Sequence, residues 1–222
     1  MGNGCRYSFF VCRGFRTQHQ AHPSGGSTCS GISFEIIMLE RLFIALTLPE
    51  DTIQSLESLQ TGLPDIRWTP GEQMHITLKF LGDMDEPTFE EIADAMPDLE
   101  PELPPLRIRG VGQFSHKKWA PVLWAGLEPD EPLIELNRNV ESLTNLRGIA
   151  REKRAYLPHI TLGRLKKAHP RRLQEYLEMH HEFQSGDFHC PELVLFSSRL
   201  SPGGAIHRPL ARVDVRGSDR HA

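Results

Sequence analysis

Met74-His75-Ile76-Thr77-Leu78-Lys79-Phe80 and Leu157-Pro158-His159-Ile160-Thr161-Leu162-Gly163 share one tetrapeptide, His-Ile-Thr-Leu, at 75–78 and again at 159–162. Side chains of an extended chain alternate between faces. His75 and Thr77 therefore share one face and Ile76 and Leu78 the other, with the same division for His159 and Thr161 against Ile160 and Leu162. Each copy reads as a strand that buries an aliphatic side and offers an imidazole and a hydroxyl on its opposite side.

The elements around the two copies repeat loosely. LFIAL at 42–46 and VLWAGL at 122–127 each read as an apolar strand that precedes a helix, a His-Ile-Thr-Leu strand and a second helix. Helices are expected to open at Pro49, Glu50 and Asp51 and run to about Leu59, to be capped by Asp85-Glu86-Pro87 and run to about Met96, and to span about Pro132 to Leu146 and about Pro170 to Met179. Phe89, Ile92, Ala93 and Met96 form one stripe, and Leu133, Leu136, Val140 and Leu143 another. Gly82 is expected to end the first His strand, and 187–215 to form two or three antiparallel strands. The fold class is α+β and bilobed: two similar lobes, each an antiparallel sheet with flanking helices, related by an approximate two-fold axis around a central cleft.

The 222 residues, 39% of them hydrophobic, can fill a core, and the net charge of −4 names no partner. No apolar run of about 18 residues exists, so no spanning helix is expected. Cys5, Cys12 and Cys29 lie in the first 37 residues and only Cys190 beyond, with no Cys-x-x-Cys pair. That is neither a disulfide framework nor a zinc cluster, and it fits a reducing, cytoplasmic setting. Residues 1–37 are rich in Gly, Ser, Cys and Arg without strand or helix period. They read as a disordered extension or as translated upstream sequence with Met38 the natural start, which leaves 38–222 as one folded domain.

A lone strand His is usually structural, and Ile and Thr simply suit strands. That accounts for Ile-Thr-Leu but not for a His beside it twice. Zinc needs three or four ligands, and neither motif carries a flanking Cys, Asp or Glu at ligand spacing. A neutral and a protonated imidazole together supply a general base and a general acid near pH 7. No nucleophile elbow and no Walker-type loop is present. Charge adds direction: nine bases (Arg147, Arg151, Lys153, Arg154, Arg164, Lys166, Lys167, Arg171, Arg172) stand against Glu152 alone in 147–172. They bracket the second motif and favour an anionic, phosphate-bearing substrate. The acidic stretch 83–102 reads as a solvated face. His207, in Gly-Gly-Ala-Ile-His, is left without a role.

From about residue 39 to 215 the chain resembles the two-histidine (2H) phosphoesterases, and within them the bacterial RNA 2′,3′-cyclic phosphodiesterases once called 2′-5′ RNA ligases. The likeness rests on RLFIALTLP at 41–49, RWTPGEQMHITLKFLG at 67–82, VLWAGL at 122–127, RAYLPHITLGRL at 154–165 and LFSSRLSPGGAIH at 195–207. It implies hydrolysis of a terminal 2′,3′-cyclic phosphate to a 2′-phosphomonoester without metal, ATP or other cofactor. It further implies His75 as proton donor, His159 as proton acceptor, Thr77, Thr161 and Arg154 on phosphate, and Tyr156 as a possible stacking surface for a base. His207 stands where the family has Tyr, and 1–37 have no counterpart. Expected partners are RNA ends or small cyclic nucleotides, with no membrane, and the protein is expected to be a monomer. Two other functions use the same cleft: 2′-5′ ligation, the reverse reaction, and nucleotide or RNA binding without turnover.

Overall fold

The structure is a computed structural model, and it describes residues 40–116, 119–167, 169–201 and 204–218. The expectation for residues 1–37 lies outside the described residues. The first half runs β1 (Glu40–Leu46), α1 (Glu50–Glu57), β2 (Ile66–Trp68), β3 (Ile76–Met84) and α2 (Glu86–Ala95). The short β4 (Glu102–Leu103) lies between the halves. The second half runs β5 (Ile108–His116), β6 (Trp119–Leu127), α3 (Glu131–Asn145), β7 (His159–Leu165) and α4 (Pro170–His180). The chain returns through β8 (Glu192–Ser201), β9 (Gly204–Asp214) and β10 (Arg216–Gly217), the last pairing in parallel with β4.

Asp85 and Asp130 start α2 and α3, each accepting from a backbone N–H three residues on (Thr88 N and Leu133 N). Leu133, Leu136, Val140 and Leu143 are all buried, as their stripe requires. Among the described residues no helix is long and apolar enough to cross a membrane.

The main sheet is ordered β5-β6-β7-β3-β1-β8-β9, with β2 added to β7. Each half contributes an antiparallel set, β5-β6-β7 and β3-β1-β8-β9, and a single pair, Ile76 with Ile160, joins them. These are the same motif position in the two copies, so the approximate two-fold axis passes between them. Ile76, Leu78, Ile160 and Leu162 are buried, as alternation requires.

Alternation fails one residue later, in both copies. The β1–β3 register slips between Ile44/Ala45, which leaves Leu78 as an extra residue. The β6–β7 register slips between Leu123/Trp124, which leaves Leu162 as its counterpart. Each slip is a β-bulge. After the bulge Lys79 points into the core at 5% exposure and Phe80 lies out at 69%. A bulge also frees a backbone carbonyl, and here a carboxamide from the other half takes it up. Asn137 of α3 donates to Leu78 O at 2.8 Å, and Gln60, just after α1, donates to Leu162 O at 3.4 Å and Thr69 O at 2.7 Å.

Gly82 does not end β3. It sits inside the strand at φ 87°, opposite Leu42, where a second slip makes room for Leu81. A left-handed residue of this kind is tolerated within a bulged strand when it is Gly.

Candidate active site

The seam between β3 and β7 gathers the sequence candidates. The antiparallel register about Ile76 and Ile160 sets Thr77 beside His159 and Thr161 beside His75. Each imidazole is held alike: Nδ1 of His75 donates to Gln73 O at 2.7 Å, and Nδ1 of His159 donates to Leu157 O at 2.8 Å. A carbonyl only accepts, so Nδ1 carries the proton in both rings and Nε2 is left to exchange one.

Their surroundings differ. His75 lies against Phe43, with ring centroids 4.9 Å apart, and against His207 in a T-shaped contact at 5.5 Å. Burial pushes its pKa down to about 4, against the pull of the Gln73 carbonyl, and the nearby His207 and His159 lower it further. His159 meets Phe114 edge-on at 4.9 Å and Trp124 at 6.3 Å, and burial lowers its pKa too. Sequence reasoning expected one protonated ring near neutral pH. Desolvation instead favours the neutral form of both in the free protein.

Of two cavities beside the seam, His159 lines one, and His75 borders the other only through Gln73 and His207. The larger, about 680 Å³, is lined by Thr77, Phe80, Phe114, Arg154, Tyr156 and His159 among others. Arg154 is exposed there. Tyr156 packs its ring against the core, and burial raises its hydroxyl pKa. Of the basic run, Arg151 and Arg154 reach this cavity, whereas Arg147 donates to Glu91 O and Leu143 O, and Arg171 pairs with Glu175. The smaller cavity, about 470 Å³, is lined by Gln73, Phe196, His207 and Arg212. β9 carries His207 there, and its pKa too is lowered by burial. Among the described residues no three His, Cys, Asp or Glu side chains gather in a way that could hold a metal ion.

Sequence reasoning missed a buried ion pair behind the first motif. Lys79 Nζ donates to both carboxylate oxygens of Glu141 and to Ala150 O, each at 2.8 Å. Glu141 also accepts from Glu152 N at 3.2 Å, which ties β3 and α3 to the chain entering the second motif. The signal in the sequence is a polar line, Asn137, Glu141 and Thr144 at spacings of four and three, which α3 buries beside its apolar stripe.

The model of the LigT-like phosphoesterase family matches residues 46–124 and 126–207, one segment for each motif. A curated protein of Methanocaldococcus jannaschii named RNA 2′,3′-cyclic phosphodiesterase is 31% identical over 171 residues, 75% of this chain and 96% of its own length. A Methanothermobacter thermautotrophicus protein of the same name is 31% identical over 179 residues, 77% of this chain and 96% of its own. The crystal structure of a Thermus thermophilus protein superposes with a TM-score of 0.62 at 26% identity, covering 82% of this chain and 100% of that one.

Proposed function

The chain belongs to the LigT-like phosphoesterases, and from that premise we propose that it opens RNA-terminal 2′,3′-cyclic phosphates to 2′-phosphomonoesters by paired-histidine catalysis. The observation that carries this reading is the pairing at the seam: two imidazoles on adjacent strands, each with Nδ1 committed to a carbonyl. In this reading Nε2 of His159 takes a proton from water, whose oxygen attacks phosphorus. The P–O3′ bond breaks, and Nε2 of His75 delivers a proton to the departing 3′ oxygen. The 2′ ester bond stays, and one proton passes back from His159 to His75 by way of solvent. Thr77, Thr161 and Arg154 hold the nonbridging oxygens, where a fixed donor contributes about 3–4 kcal/mol to the transition state.

The low pKa of free His75 sets a condition on this scheme. Bound phosphate brings a negative charge beside the ring, which favours the imidazolium and returns the proton that burial removed. The scheme therefore requires His75 to take up a proton as substrate binds.

The test is turnover of an oligonucleotide ending in 2′,3′-cyclic phosphate with EDTA present. Release of a 2′-phosphate end at an undiminished rate is expected. No turnover would overturn the proposal, and loss of turnover with EDTA would replace the proton pair by a metal.

A further inference from the structure

We propose that the cavity running from His159 to Phe80 is a subsite for single-stranded RNA upstream of the cyclic phosphate, with a base stacked on the Phe80 ring. The inference rests on the RNA-end reading above and adds how much of the strand the protein grips. The cavity, about 680 Å³, begins at Thr77 and His159 and extends to Phe80, Phe114, Arg138 and Arg154. Phe80 is 69% exposed, Leu157 50% and Phe114 39%, all three on this one cavity. Single exposed apolar residues are ordinary. Three around one cavity, interleaved with guanidinium groups, have the make-up of a single-strand groove, in which rings take bases and cations follow phosphates.

The bulge at Leu78 gives Phe80 this position. Without the slip, alternation would send it to the core side with Ile76. Phe80 lies across Phe43 from His75, with ring centroids 6.0 Å apart for Phe80 and Phe43 and 4.9 Å for Phe43 and His75. Phe114 meets His159 edge-on at 4.9 Å, so in this proposal the nucleoside that carries the reacting phosphate takes the Phe114 end of the cavity and the base that meets Phe80 is the next one up the strand.

The charges suit a phosphate backbone. Arg154 has no side-chain partner among the described residues, whereas Arg138 pairs with Glu131 at 2.7 Å and Arg151 donates to Ser142 Oγ at 3.0 Å. Of the two acids on the cavity, Glu141 is paired with Lys79, and Glu152 accepts from Lys153 N and Arg154 N. Stacking tolerates any base, so the subsite reads strand length rather than sequence.

The experiment compares a trinucleotide and a mononucleoside, each ending in 2′,3′-cyclic phosphate, by kcat/KM. It also compares the matching 2′-phosphate products by Kd. The trinucleotide should be favoured about tenfold or more in both measures. Phe80→Ala should bring both ratios near one, and Phe80→Tyr, which keeps a ring, should restore them. Ratios near one in the unaltered protein, or unchanged in Phe80→Ala, would overturn the subsite. Length-dependent binding without turnover would sink the catalytic reading and leave the subsite standing. Turnover without length preference would do the reverse.

Discussion

The two His-Ile-Thr-Leu copies have the same backbone and different neighbours. Both carry a bulge at Leu, both have that Leu carbonyl taken by a carboxamide from the other half, and both anchor Nδ1 on a carbonyl two residues back. Behind the first bulge stands Lys79, neutralised by Glu141. Behind the second, at the matching position, stands Gly163, where β2 crosses so closely that an added Cβ would come within 2.9 Å of Arg67 O. His75 sits deeper, among Phe43, Phe196 and His207, and His159 sits nearer the open cavity. Since the tetrapeptide is identical, any division of labour between the rings has to come from these surroundings.

The largest expected effect tests that division. His159→Ala should lower turnover by about 10²–10⁴-fold on an RNA cyclic phosphate and remain as damaging on a nitrophenyl phosphodiester, because water still needs a base. His75→Ala should be as harmful on the RNA substrate, yet recover most activity on the nitrophenyl ester, whose leaving group departs without a proton. Equal losses for both variants on the activated ester would mean that the two environments do not assign the roles.

Next in size is the support behind each motif. Lys79→Met strands a buried carboxylate and should cost about 3–5 kcal/mol in urea unfolding, as removal of one partner from a buried pair does. Pairing it with Glu141→Leu should return most of that loss. In the other lobe Gly163→Ala has only to push β2 outward and should cost about 1–3 kcal/mol. If Gly163→Ala proved as severe as Lys79→Met, the asymmetry behind the motifs would carry no energetic weight.

Much of this arrangement was legible beforehand because it depends on local periodicity. The His and Thr face, the buried Ile and Leu, the α3 stripe and the order of elements all come from patterns of period two or 3.6, and the structure has them. The path of the chain beyond the Leu of each motif was not legible. A bulge is a relation between two strands, and nothing within Leu78-Lys79-Phe80 states that its partner β1 lacks a residue at that point. Reading straight through the bulge puts Lys79 on the open face and Phe80 inside, the reverse of the observed arrangement. Gly82 misled for the same reason, since a positive φ serves a turn and a bulge equally well. His207 stayed undecided because only the pairing of β8 with β9, Ser198 opposite His207, carries it to His75.

The smallest expected effect concerns acid and sharpens the same comparison without any substrate. Folding moves the His75 pKa from its ordinary 6.5 down to about 4, with burial the main cause and His207 and His159 adding to it. Between those values the unfolded chain binds the proton and the folded one does not. Stability is therefore fully present above about pH 6.5 and falls as pH drops toward 4, by at most about 1.4 kcal/mol per pH unit for one such group. His159 and His207, also lowered by burial, contribute with the same sign. His75→Gln removes the deeper of the two motif rings, so it should flatten the slope of unfolding free energy against pH between 4 and 6.5 more than His159→Gln does. Urea midpoints measured at half-unit intervals would resolve the difference. A slope untouched by His75→Gln, or flattened more by His159→Gln, would mean that the deeper setting of His75 does not govern its proton.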